Sequence, residues 1–291
     1  MRFFIMRLIM CFFIGTSACS KHSTNEFVPV QIDFKRVDWY AKRAQLAYST
    51  EEEIRSALDS VIAVESIEEF DIQYFIEQLP NQQQLLAIRG TANLKNVRED
   101  VEYTKSKNKK IKILVHKGFD EDAHAVFSRA LPQLDKNQEI LVTGHSLGAA
   151  VSTLMMIFLH VEGYQLGPSI NFGQPKFTNI EGAKKYDFLP LTRIVNKKDV
   201  VPLVPPPSIV ASVGGEYRHF GQEVITLDGE YFVYLDNHIT LEKDLSDLWF
   251  NLGELSVEDH MIANYRVSIQ EKFDQQREVP FKERDNFISS H

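Results

Sequence analysis

Gly144-His145-Ser146-Leu147-Gly148 is the stretch whose residue types and spacing can do chemistry. A serine hydroxyl is a poor nucleophile until a base takes its proton, and the oxyanion formed by its attack needs fixed donors. The flanks supply a setting for both. Glu139 to Thr143 is a short apolar run that predicts a buried strand, and Ala149 to Leu159 predicts a mostly buried helix. Strand, Gly-x-Ser-x-Gly and helix form the context of a nucleophile elbow, a turn too tight for a Cβ near Ser146, which lifts the hydroxyl clear of the sheet. The helix N-terminus beside it favours developing negative charge. The same residues would also suit an inert glycine-rich turn, so what the rest of the chain offers Ser146 must decide.

In elbow enzymes the chain order is serine, then acid, then histidine. His116, His124 and His145 precede Ser146, and His160 sits on the elbow helix pointing away. His219, His238 and His260 remain as bases, with Asp187, Asp199, Asp228 and Asp236 as the main acids. Asp199 is favoured because it follows an apolar run, Leu191 to Val195, and precedes a stretch rich in proline. Order alone leaves other pairings open, and each of these residues would serve equally well as a surface turn or a hydrogen-bonded structural group.

The elements that must position these groups read as alternating strands and helices. Val37 to Ser49 carries Val37, Tyr40, Ala41, Ala44, Ala47 and Tyr48 at helical spacing, and Glu51 to Leu58 predicts a second short helix. Neither carries a chemical constellation, so both are expected to pack. Ile72 to Leu79 and Gln84 to Ile88 predict a hairpin around Pro80-Asn81-Gln82. Ile111 to Val115, Ser169 to Phe172 and Leu191 to Val195 predict further strands, and Asp122 to Leu131 a helix stopped by Pro132. Pro202, Pro205, Pro206 and Pro207 exclude regular structure there. Tyr231 to Leu235 predicts part of a hairpin after the Asp228-Gly229 turn, and Met261 to Ile269 a closing helix. The pattern is α/β, with a mostly parallel central sheet covered by helices on both faces. Chemistry in such sheets gathers at the carboxyl ends of the strands, and Thr91, Ser146 and Asp199 all lie just past such ends.

With 291 residues and 44% hydrophobic content, the chain can bury one large core. Residues 1–18 are read apart from it. Arg2 and Arg7 precede the apolar centre Ile9 to Ile14, and small residues Ser17-Ala18 lead to Cys19, the organisation of an export signal too short to span a bilayer as a mature helix. The ending resembles a bacterial lipoprotein signal, with Thr16 as the departure from its usual Leu; that resemblance implies lipid on Cys19, with Ser20 after it directing the protein to an outer membrane. The alternative is an ordinary signal cut near Ala18 or Ser20, giving a secreted protein. Residues 19–34 are expected to be a polar tether, 35–270 the domain, and 271–291 a charged, frayed tail. Both cysteines, Cys11 and Cys19, lie at the N-terminus, which excludes a disulfide in the domain and any Cys-based metal site. Of 32 basic residues two leave with the signal, so 30 face 40 acidic ones, a net charge of −10 that repels nucleic acid.

Five blocks in order resemble the class 3, fungal-type lipase family of the α/β-hydrolase fold. They are Ile88-Arg89-Gly90-Thr91, Val115 to Phe119, Thr143 to Ala150, Asn171 to Pro175, and Arg193 to Asn196 with Asp199 to Pro202. Tyr217 to Gly221 and Asp259-His260 with Tyr265 are similar to its later blocks. The resemblance implies Ser146 as nucleophile, Asp199 as orienting acid, His260 as base, and the backbone N–H groups of Leu147 and Thr91 as oxyanion hole, each donor worth about 3–4 kcal/mol in the transition state. It makes His219 structural, with His145 and His116 holding loops. It also implies a lid over Ala92 to Val101, where Leu94, Val97 and Val101 form the apolar stripe and the fungal Trp near Val97 is missing; an ordinary packed helix fits that stripe equally. The expected activity is hydrolysis of lipid carboxylic esters through an acyl-enzyme on Ser146, by a lipase or carboxylesterase, with no cofactor, metal or obligate protein partner. The alternatives are a phospholipase A acting on envelope lipids and a non-catalytic binding protein of the same fold.

Overall fold

The computed structural model describes residues 30–90, 104–205, 215–236 and 256–289. Helix α1 (Phe34–Leu46) starts at the Asp33 cap, and α2 (Glu51–Ala57) at a Thr50–Glu53 capping box, in which each side chain satisfies an otherwise orphaned backbone N–H. Strands β1 (Val61–Ile67), β2 (Ile72–Leu79) and β3 (Gln83–Ile88) form an antiparallel meander. Then come β4 (Lys105–Asn108), β5 (Ile113–His116) and α3 (Lys117–Ala130). The middle of the chain runs β6 (Glu139–His145), α4 (Leu147–Val161), β7 (Gln165–Leu166), β8 (Ser169–Phe172), β9 (Thr178–Asn179), α5 (Ile180–Tyr186) and β10 (Leu191–Asn196). Strands β11 (Tyr217–Arg218), β12 (Gln222–Thr226) and β13 (Tyr231–Leu235) follow, then α6 (Ile262–Gln270) and β14 (Arg277–Glu278).

The main sheet has the order β1-β2-β3-β6-β8-β10-β12-β13-β14. Its centre, β3 through β12, is parallel throughout, with antiparallel neighbours outside it at β2 and β13. Alternation along each strand feeds two cores. Ile140 and Val142 of β6 join Leu86, Ile88, Val126, Leu154 and Phe158 on the α3 and α4 face. Leu141, on the other side of β6, joins Tyr40, Ala44, Ile170, Phe172, Ile194 and Tyr265 beneath α1 and α6. Buried from Gly148 to Leu159, α4 is enclosed all round and apolar except at Ser152 and Thr153, as a helix wedged between sheet and α3 requires. This is the α/β-hydrolase fold, with helices on both faces of a mostly parallel sheet.

Several elements differ from the sequence reading. β1 buries only Ala63 and Ile67, and β4 is Lys-Ser-Lys-Asn, so neither carries an apolar alternation. β4 belongs to a small second sheet with β5, β9 and β11. α3 begins at Lys117 because His116 serves as its cap, accepting from Phe119 N–H at Nδ1. A short 3-10 turn, Val201–Leu203, forms at the first proline. The expected tail from 271 is folded onto the domain: β14 pairs with β13, Val279 is buried, and Glu278 and Gln276 accept from the backbone N–H groups of Val30 and Ile32. Fully buried Lys272 donates to the carbonyls of Leu227, Gly229 and Ser268, and burial pushes its ammonium down to about 8. These contacts extend the folded body at both ends of 35–270.

Candidate active site

The elbow is built where β6 turns into α4. Ser146 has φ 60° and ψ −133°, a conformation that non-glycine residues rarely adopt and that stored strain marks as functional. Its N–H donates to Phe172 O on β8. The two flanking glycines permit close approach: a Cβ on Gly144 would lie 2.3 Å from Gly148 O, and one on Gly148 2.4 Å from Ile88 O. Leu147 is the first residue of α4, so its N–H is one of the first-turn amides with no intrahelical partner.

His260 comes to Ser146 from 114 residues away, its Nε2 2.8 Å from Ser146 Oγ. Its Nδ1–H donates to Asp199 Oδ2 at 2.7 Å. That tautomer leaves Nε2 free to accept the serine proton. The carboxylate is held from two more directions: Tyr265 O–H donates to Oδ2 at 2.5 Å, and Val201 N–H to Oδ1 at 2.8 Å. Ser146 and His260 are 0% exposed and Asp199 2%, so the three polar groups satisfy one another away from water. The loop bearing His260 is pinned to the end of β10: Asn196 Nδ2 donates to Asp259 O, Ser256 N–H to Lys198 O, and Val200 N–H to Ser256 O.

Gly173 closes this contact from below. At φ +55°, a Cβ there would lie 2.7 Å from His260 Cε1 and 3.0 Å from Asp199 Oδ2. Gly173→Ala is expected to lower kcat on a soluble ester by about 100-fold, because displacement of a base by less than an ångström costs rate out of proportion to binding. Steady-state kinetics check this, with KM expected to move little.

A second buried network ties α4 to β8 just behind the elbow. Asn171 Nδ2 donates to Ala149 O and Thr153 Oγ1, Ser152 Oγ donates to Asn171 Oδ1, and Thr153 Oγ1 donates to Gln174 Oε1. All four side chains are buried, so this lattice fixes the helix whose N-terminus faces the serine.

The remaining candidates lie elsewhere. His219 Nε2–H donates to Pro202 O at 2.8 Å; burial, then nearby Arg193, hold its ring neutral well below the usual histidine range. His116 caps α3 and is pushed by burial to about 4. Asp187 caps the end of α5, Asp228 pairs with Lys197, and Asp236 follows β13. His145 faces neither Ser146 nor solvent; it bonds Tyr48 and the backbone of His260. Tyr48, assigned to packing by its helical spacing, therefore touches the site's surroundings. Cys19, Thr91, the stripe of Leu94, Val97 and Val101, and His238 lie outside the described residues.

Residues 85–209, which hold the elbow, the β8 turn and Asp199, match the profile of Lipase (class 3). Over this stretch the chain is similar to the class 3 lipase family. Over 136 residues the chain is 30% identical to a lipase of Rhizopus niveus, covering 42% of this chain and 35% of that one. It is 33% identical over 94 residues to phospholipase A1-II 3 of Oryza sativa subsp. indica, covering 28% and 22%. The chain thus spans about a third or less of these curated relatives. The solved structure of lipase II from Rhizopus niveus superposes with a TM-score of 0.64 at 22% identity, over 78% of this chain and 92% of that one. The class 3 stretch ends before His260, which the fold alone brings back to it.

Proposed function

We propose that the chain hydrolyses carboxylic esters of lipids through an acyl-enzyme on Ser146. The observation that carries this reading is the unbroken line Ser146 Oγ, His260 Nε2, His260 Nδ1, Asp199 Oδ2, at 2.8 and 2.7 Å. In the proposed cycle His260 takes the serine proton as Oγ attacks the ester carbonyl, and Asp199 stabilises the imidazolium without taking a proton. The N–H groups of Leu147 and Thr91 receive the oxyanion. The tetrahedral intermediate collapses, the C–O bond to the alcohol breaks, and His260 returns its proton to the departing oxygen. Water, activated by the same histidine, then releases the acid and restores Ser146. Every proton transfer is served by this chain's own side chains.

The class 3 match and the Rhizopus relative named a lipase support a neutral glyceride substrate. The rice relative named a phospholipase A1 supports a phospholipid instead, over a shorter stretch. Release of p-nitrophenol from p-nitrophenyl butyrate tests the reaction, and its absence from folded protein would leave the non-catalytic binding reading. Fatty-acid release from trioleoylglycerol against phosphatidylcholine separates the two substrate classes, with the glyceride expected to be faster.

Localisation rests on the N-terminus. Cys19, after small residues and an apolar export segment, is proposed to carry lipid and hold the domain at a membrane facing the periplasm or exterior. Cys19→Ser is then expected to move the protein from the membrane fraction to the soluble one with ester hydrolysis intact. A wild-type protein recovered soluble and unlipidated would refute the anchor.

A further inference from the structure

Tyr48 lies two residues past the end of α1, and its hydroxyl sits between two parts of the site that the mechanism treats separately. Its oxygen is 2.8 Å from His145 Nδ1, and the Gly90 backbone packs directly against it. The approach is close enough that a Cβ on Gly90 would lie 2.5 Å from the hydroxyl oxygen. On the far side of the imidazole, His145 Nε2 lies 2.7 Å from the backbone carbonyl of His260.

Donor logic fixes the protons along this chain. A carbonyl oxygen accepts only, so His145 Nε2 carries hydrogen. The neutral ring then presents Nδ1 as an acceptor, and the Tyr48 hydroxyl must donate to it. The phenol thereby specifies the neutral Nε2–H form of His145. That form matters because the His145 and His260 rings lie 4.6 Å apart, 31° from parallel. His260 must become positive in the reaction, and a second positive ring beside it would oppose that step. Burial and the neighbouring His260 push His145 the same way, well below the usual histidine range.

We propose that Tyr48 is a positioning residue for the reaction at Ser146: through His145 it holds the backbone of His260, and its hydroxyl packs against Gly90, the residue preceding Thr91, the proposed oxyanion donor. One hydroxyl just past an otherwise structural helix would thus keep the base in register with the backbone at Gly90. The inference rests on the reading of Ser146 and His260 as nucleophile and base.

Two readouts on the full chain test it. In histidine-15N-labelled wild-type protein at neutral pH, His145 is expected as a single Nε2–H tautomer with a hydrogen-bonded Nδ1. In Tyr48→Phe, which keeps the ring, the Nδ1 resonance is expected to move toward that of an unbonded nitrogen, while His219 stays unchanged. The kcat on p-nitrophenyl butyrate is expected to fall by about 10- to 100-fold, with KM little altered. A structural role alone would lower the unfolding midpoint and leave kcat and the tautomer as they are, and that result would overturn the proposal. If the variant does not fold, a wild-type spectrum showing His145 as Nδ1–H, or doubly protonated, would overturn it as well. Wild-type protein without esterase activity would refute the underlying assignment of the reaction, which is a distinct outcome.

Discussion

Ser146→Ala and His260→Ala are each expected to lower kcat by about six powers of ten, and the double variant to be hardly worse than either alone. Oγ and Nε2 are 2.8 Å apart and work as one unit: without the base the hydroxyl keeps its proton, and without the hydroxyl the base has nothing to activate. Residual turnover above the uncatalysed rate would come from the amides around the oxyanion. Ser146→Ala adopts the same positive φ in an already glycine-lined turn, so the fold is expected to survive. Burst kinetics with an activated ester should vanish in both variants. A Ser146→Ala protein with normal circular dichroism and near-normal turnover would exclude the assignment.

Asp199→Asn is expected to cost about ten-thousand-fold in kcat while leaving substrate binding nearly intact. The geometry says why an isosteric amide cannot substitute. One carboxylate oxygen accepts from His260 Nδ1–H and Tyr265 O–H, and the other from Val201 N–H. Whichever way the amide turns, its NH2 meets a donor, a buried conflict worth about 1–3 kcal/mol. The Val201 backbone cannot change its role, whereas the tyrosine hydroxyl can rotate and the imidazole can shift its proton. The amide therefore settles with NH2 toward His260, which moves the imidazole proton to Nε2 and aims it at Ser146. The base is then present but in the wrong tautomer. Asp187→Asn, Asp228→Asn and Asp236→Asn, at the competing acids, are expected to leave activity largely unchanged. Kinetics on the four variants separate the acids, and a loss concentrated at any of those three would redirect the assignment.

What the sequence made legible follows the range of the interactions involved. The elbow could be read because strand, Gly-x-Ser-x-Gly and helix are contiguous, and the parallel strands because buried strands carry continuous apolar runs. The pairing of Asp199 with His260 could not be settled from residue order, because it depends on a loop at 256–260 bridging back to β10 across 61 residues. Resemblance supplied that pairing, and the fold brings the two side chains together. Tyr48 was hidden for a related reason. Its spacing continues the apolar face of α1, and its partner His145 is 97 residues away, so no local pattern separates a packing ring from a hydrogen-bonding one. β1 and β4 escaped because an edge strand needs little apolar alternation, and the start of α3 because histidine is not among the usual capping residues. Charge alone predicts a frayed C-terminal segment. Its order comes from a strand pairing and from Lys272 saturated by three carbonyls, neither of which composition reveals.

The most direct measurement is covalent. A fluorophosphonate reacts with a serine only when a neighbouring base has activated it, so it reports the chemistry without any assumption about the natural ester. Incubated with the folded chain and followed by peptide mapping, it is expected to label one serine, Ser146, with labelling lost in Ser146→Ala and His260→Ala. Label on a different serine, or none on a folded wild-type protein, would contradict the assignment of Ser146 and with it the proposed reaction.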